Sequence, residues 1–171
     1  MTAPVFVDAN VFVYRRDPLE PRKQQRASEW ITHLWRSNLG RTSMQVLSEL
    51  YVTLTRKFSA RVGAEDAWED VHALLAWRPQ PIDEALVVRA REVERRYKLS
   101  WWDSMVVAAA QLQDCAVLLT EDLQDGMVFG TVAVRSPFSF GVEEPMAAYA
   151  PVRAASLHRV RGRPRRAAAR G

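Results

Sequence analysis

Val5-Phe6-Val7-Asp8-Ala9-Asn10-Val11-Phe12 opens as a short buried strand, stops on a carboxylate, carries an amide two residues later and turns apolar again. An acid inside an apolar run costs free energy unless something pairs with it. Two readings stay open on this stretch alone. Asp8 either caps a helix that starts near Asn10, or it stands at the carboxyl end of a strand, where open α/β sheets build their ligand sites.

Working outward, residues 4 to 8 form the first expected strand. From Pro18 to about Ser37, Ala27, Trp30, Ile31, Leu34 and Trp35 recur at helical spacing, and Asn38-Leu39-Gly40 ends that helix. A short strand is expected near Arg41-Thr42-Ser43. Leu47, Leu50, Tyr51, Leu54 and Phe58 mark a second helix, and Ala67, Trp68, Val71, Leu74 and Leu75 a third. Arg78-Pro79-Gln80-Pro81 breaks the pattern. Asp83 caps a fourth helix, with Leu86, Ala90, Val93 and Tyr97 as its stripe. Ser100 caps a fifth that runs to about Gln113. Cys115 to Thr120 is a buried strand and Val132 to Val134 another. Strands at both ends with helices between them predict an α/β fold with a mostly parallel central sheet.

Composition bounds the function. The 171 residues fit one domain, and 48% hydrophobic content supplies one sizeable core. The single cysteine, Cys115, excludes an intrachain disulfide and fits a reducing compartment. The start MTAPVFVD has no signal-peptide character, and no apolar run spans a bilayer, so a cytoplasmic protein without membrane contact is expected. The net charge of +4 misleads, because seven of the 24 basic residues and none of the 20 acids follow residue 151. The preceding part has 17 basic residues against 20 acidic ones, a net charge of −3. We divide the chain into a domain over residues 1–142 and a basic, disordered tail over 143–171. Within the tail, Arg161-Gly162-Arg163-Pro164 resembles the core of an AT-hook; a nonspecific polyelectrolyte is the plainer reading.

Four acids stand at element ends. Asp103, in Ser100-Trp101-Trp102-Asp103, fits a capping box. The helix behind it, Met105-Val106-Val107-Ala108-Ala109-Ala110, is apolar on nearly every face, so the carboxylate is expected to point inward without a basic partner. Glu49 lies opposite the stripe of its helix, where periodicity alone gives a surface residue. Asp122 is the strand-end acid of the polar turn Thr120-Glu121-Asp122-Leu123-Gln124-Asp125-Gly126. There is no His cluster, Cys pair or Gly-rich phosphate loop, and an all-oxygen set suits Mg²⁺ or Mn²⁺.

Val7-Asp8-Ala9-Asn10, Ser43 with Glu49, Trp102-Asp103-Ser104-Met105-Val106-Val107-Ala108, Leu119 to Gly126 and the closing Pro137-Phe138 together resemble the PIN domain, especially the VapC-type toxins of bacterial toxin–antitoxin pairs. The resemblance covers about residues 4 to 140. It implies a three-layer α/β/α sandwich and a Mg²⁺- or Mn²⁺-dependent endoribonuclease acting on single-stranded RNA. Asp8, Glu49, Asp103 and Asp122 would form the catalytic quartet, with Asp8, Asp103 and Asp122 on the metal. Asn10 and Thr120 would support them. A homodimer and a cognate antitoxin protein are implied partners. Gln124 departs from the pattern, standing where some relatives carry another acid, and the Arg-rich tail has no counterpart. Arg15, Arg16, Arg41 and Arg135 are candidate RNA contacts, and Trp101 and Trp102 candidates for stacking bases. Two other classes are carried forward: a non-catalytic interaction module on the same fold, and a phosphatase or phosphotransferase with Asp8 as nucleophile.

Overall fold

The computed structural model describes residues 3–58, 60–139 and 141–142. The chain runs β1 (Val5–Val7), α1 (Ala9–Arg15), α2 (Pro21–Ser37), β2 (Gly40–Arg41), α3 (Met44–Lys57), α4 (Ala64–Leu74), a 3₁₀ turn (Leu75–Trp77), α5 (Glu84–Tyr97), α6 (Trp101–Leu112), β3 (Val117–Leu119), β4 (Val128–Phe129) and β5 (Val132–Arg135). The sheet order is β2-β1-β3-β5-β4. β1 pairs in parallel with β2 and β3, β3 in parallel with β5, and β4 antiparallel with β5. Helices flank this sheet as in an α/β/α sandwich. α6 packs on β3 and β5 and against α5, while α1, α2, α3 and α4 pack with one another.

All three residues of β1 and of β3 are buried, as expected for the middle of a parallel sheet. α6 is buried at every position from Ser104 to Ala110, which matches its all-round apolar sequence. Asn38 and Lys98 end α2 and α5 in the left-handed conformation. Gly40 has a packing reason: a Cβ there would meet the Trp77 ring at 2.5 Å. Trp77 is buried between Phe12 and Trp35, with ring centroids 5.8 and 5.4 Å away.

The helix that Asp8 was one candidate to cap is present as α1. Two expectations need correcting. The two-residue strand β4 was not anticipated, being too short to show a period. Trp35, Tyr51 and Trp68 lie at the borders of their helical stripes and stay partly exposed. The division at residue 143 and the Arg161–Pro164 motif lie outside the described residues.

Candidate active site

Parallel pairing aligns Val7 of β1 with Leu119 of β3, so the residues that leave these strands, Asp8 and Thr120, emerge side by side at the carboxyl edge. The Asp8 backbone N–H donates to the Leu119 carbonyl at 3.1 Å and continues the ladder by one step. Asp8 is only 6% exposed. It caps α1, its Oδ1 accepting the Ala9 N–H at 2.7 Å. Its other oxygen, Oδ2, accepts the Thr120 hydroxyl at 2.7 Å. Both readings of Asp8 left open by the sequence are therefore realised in one residue: it caps α1 and stands at the strand end.

Asn10 ties the site together. Its Nδ2 lies 3.1 Å from Thr120 Oγ1, 3.0 Å from Asp122 Oδ2 and 3.4 Å from Asp8 Oδ2. Two carboxylates 114 positions apart in the chain thus share one amide donor. The Asp122 N–H donates to Thr120 Oγ1 at 3.1 Å, which fixes the turn. The neighbouring acids of that turn are engaged elsewhere: Glu121 with Lys23, and Asp125 with the Ser136 N–H.

The site leaves Asp8 poorly solvated. Burial is the main reason that its pKa is raised from 3.8 to about 6. The Thr120 and Ala9 hydrogen bonds oppose the rise, and the charges of Asp122 and Glu49 add to it. Glu49 is exposed on α3, as periodicity implied, yet its charge reaches the site. Its Oε1 accepts from Gln45 Nε2 at 3.0 Å.

Asp103 is arranged differently. It is half-buried, and its Oδ2 accepts the Ser100 hydroxyl at 2.7 Å, while its own N–H donates to Ser100 Oγ at 3.1 Å. The sequence argument expected either a capping box with Ser100 or an inward carboxylate without a basic partner; Asp103 makes the contact with Ser100.

The proposed RNA-contacting arginines scatter. Arg16 is locked to Asp70 by two hydrogen bonds of 2.7 Å. Arg41 folds back onto the carbonyls of Asn38 and Gly40, away from the carboxyl edge. Arg15 is exposed at the end of α1. Arg135 ends β5 beside Thr120, whose N–H donates to the Arg135 carbonyl at 3.1 Å, and donates itself to the Val134 carbonyl.

A groove of about 730 Å³ adjoins these acids. It is lined by Asn10, Tyr14, Glu49 and Asp122, and further out by Val52, Ile82, Lys57 and Trp102. One face of α3 forms a wall through Gln45, Ser48, Glu49, Val52, Thr53 and Lys57, all at helical spacing. Gln45 and Lys57 were missed from sequence. The signal was present, since both are one or two turns from Glu49 on the same face, but nothing local marked that face as a wall. Trp101 packs against the core, whereas Trp102 is 62% exposed in the groove.

The donor chemistry suits a hard divalent cation. The Asn10 carbonyl oxygen is buried without a partner, beside carboxylates that repel one another. Among the described residues, no three His, Cys, Asp or Glu side chains converge tightly enough to hold an ion as placed. Asp8 and Asp122 could offer two oxygen ligands, and Glu49 lines the same groove, whereas Asp103, held by Ser100, is not among the residues that line it.

No curated protein matches the chain. The crystal structure of Mycobacterium tuberculosis VapC20, a Sarcin-Ricin loop cleaving toxin, matches with 21% sequence identity and a TM-score of 0.51 over 67% of this chain and 86% of that one. That likeness is one of fold. The sequence profile of the PIN domain matches residues 5–124, from the first residue of β1 to just past Asp122. The strand order, the acids at the carboxyl edge and this match agree: the chain belongs to the PIN domain family.

Proposed function

We propose that the protein is a divalent-metal-dependent endoribonuclease that cleaves single-stranded RNA, and the toxin of a toxin–antitoxin pair. The observation that carries this reading is Asp8: a buried carboxylate, pKa raised to about 6, sharing the Asn10 amide with Asp122 at the carboxyl edge of a parallel sheet. A buried acid that is neither neutralised by a basic side chain nor removed by packing is costly. It is understandable as half of a cation site.

Asp8 and Asp122 would hold Mg²⁺ or Mn²⁺, with Asp103 or Glu49 completing the set. When bound, the ion supplies charge for the scissile phosphate and an acidified water. The chain's own part is preorganisation. Thr120 and the Ala9 N–H hold one Asp8 rotamer, leaving little side-chain freedom to lose on binding. Asn10 keeps Asp122 at a fixed offset from Asp8 and blunts their repulsion. A cognate antitoxin covering the acids, a homodimer and a cytoplasmic setting follow from the VapC-like reading. Among the described residues, no helix is long and apolar enough to cross a membrane.

One observation favours the rival, a binding-only PIN domain: Asp103 is satisfied by Ser100. The aspartyl-phosphatase reading is weaker, because such enzymes often want a second acid two residues after the nucleophile, where this chain has Asn10. The deciding experiment is cleavage of a single-stranded RNA in Mn²⁺ by the full chain and by Asp8→Asn and Asp103→Asn. We expect losses on the order of 10³-fold, equivalent to several kcal/mol of lost transition-state stabilisation. Full activity in either variant removes this site. For the biological role, a small antitoxin-like reading frame next to the gene is the expected finding.

A further inference from the structure

The acids at the centre of the groove repel a nucleic-acid backbone, so affinity for RNA has to come from the groove's flanks. On the flank beside Tyr14, Lys23 is already committed: it donates to Glu121 and to the Tyr14 hydroxyl and lies 4.4 Å from the Tyr14 ring centroid. The opposite flank is built otherwise. Lys57 ends α3 eight residues beyond Glu49, about 12 Å along the helix at 1.5 Å per residue. Among the described residues its ammonium has no ion-pair or hydrogen-bond partner. Trp102, 62% exposed, has no aromatic partner among them either. Both line the groove, with Ile82 and Val52 as apolar floor.

We infer that this flank is a substrate-binding subsite, in which Trp102 stacks an unpaired base and Lys57 holds a phosphate further along the same strand. An exposed indole and, further along the same groove, an uncommitted ammonium match a base and a backbone phosphate of one strand. A wholly apolar occupant would bury the Lys57 charge without a partner. The subsite rests on the ribonuclease reading for the identity of the polymer. It adds the residues that position the substrate and places them on α3 and at the start of α6. Trp102 precedes Asp103 directly, and its carbonyl lies 3.5 Å from Gln45 Nε2, so the stacking ring and the acids share one rigid support.

The test has two arms on the full chain. In the first, Asp8→Asn serves as a non-cleaving host, and binding of a fluorescein-labelled single-stranded oligoribonucleotide is read by anisotropy. In the second, KM and kcat are measured for cleavage in Mn²⁺. Trp102→Ala is expected to weaken binding and raise KM about tenfold, with Trp102→Phe recovering most of the loss. Lys57→Ala is expected to weaken binding by roughly fivefold and to lower the slope of log affinity against log salt by about one. Trp68→Ala, which removes an exposed tryptophan from α4, should leave both arms unchanged. Binding and KM that are unchanged in both groove variants overturn the subsite, leave the nuclease reading standing and give the groove to a protein segment instead. A Trp102→Phe variant as weak as Trp102→Ala also overturns it. Binding that depends on Trp102 and Lys57 in a protein that never cleaves RNA supports the subsite and defeats the nuclease reading.

Discussion

Asp8 and Asp103 both occupy the first turn of a helix at the carboxyl edge of one sheet, and both were read from sequence as metal ligands. Their surroundings differ. Asp8 is held by Thr120, 112 residues away, and shares Asn10 with Asp122. Asp103 is held by Ser100, three residues away. The first arrangement exists only when β1 and β3 are paired; the second would form in the isolated helix. A carboxylate fixed by long-range partners is preorganised by the fold, whereas one fixed by its own helix start is free to exchange that local partner for another. The part of the proposed site made by Asp8, Asn10 and Asp122 is thus built by the sheet, while Asp103 keeps a local partner.

Metal and pH should expose this difference most strongly. Asp8 has a folded-state pKa of about 6 against an ordinary 3.8, so between these values the folded chain holds a proton that the unfolded chain has released. Stability therefore falls as pH rises from about 4 to about 6, and stays lowered above that. Without metal at pH 7.5, Asp8→Asn should be more stable than the wild type by about 3 kcal/mol, with the gap closing toward pH 4. Denaturant unfolding at several pH values measures it. Adding Mn²⁺ should raise the melting temperature of the wild type and not of Asp8→Asn, and chelation should reverse the gain. A wild-type protein indifferent to Mn²⁺ would place Asp8 with Asp103, as a cap and nothing more.

Thr120→Val should have the next largest effect. It removes the donor to Asp8 and an acceptor for both Asn10 and the Asp122 N–H. The expected cost is about 1–3 kcal/mol of stability, together with a shift of the rising limb of the pH–rate profile to higher pH, because Asp8 loses the hydrogen bond that favours its charged form. An unmoved profile would mean that Thr120 serves the fold alone.

Ser100→Ala should have the smallest effect. Losing the cap costs about 1 kcal/mol, and it also releases Asp103. If Asp103 must leave Ser100 to reach the cation, Mn²⁺ binding by calorimetry should tighten a few-fold even as the melting temperature drops. Weaker binding would show instead that Ser100 aims Asp103 at the site.

The family resemblance marked Glu49, Asn10 and Thr120; the sequence by itself determined the helices with a clean stripe and a cap, the two buried strands, and Asp8, Asp103 and Asp122 as acids at element ends. These signals are local: a period of two or 3.6, a cap at a fixed offset, a strand that ends on a carboxylate. α1 stayed one of two open readings of Asp8 because its seven residues are too few to show a clear period, and β4 escaped because two residues carry none. Tertiary structure alone decided that Asn10 bridges Asp8 and Asp122, that Arg16 and Arg41 are committed away from the site, and that Gln45, Lys57 and Trp102 wall one groove with the acids. The reason is register. Pairing Val7 with Leu119 brings two distant strand ends together, and no property of either segment read singly encodes which partner it will meet.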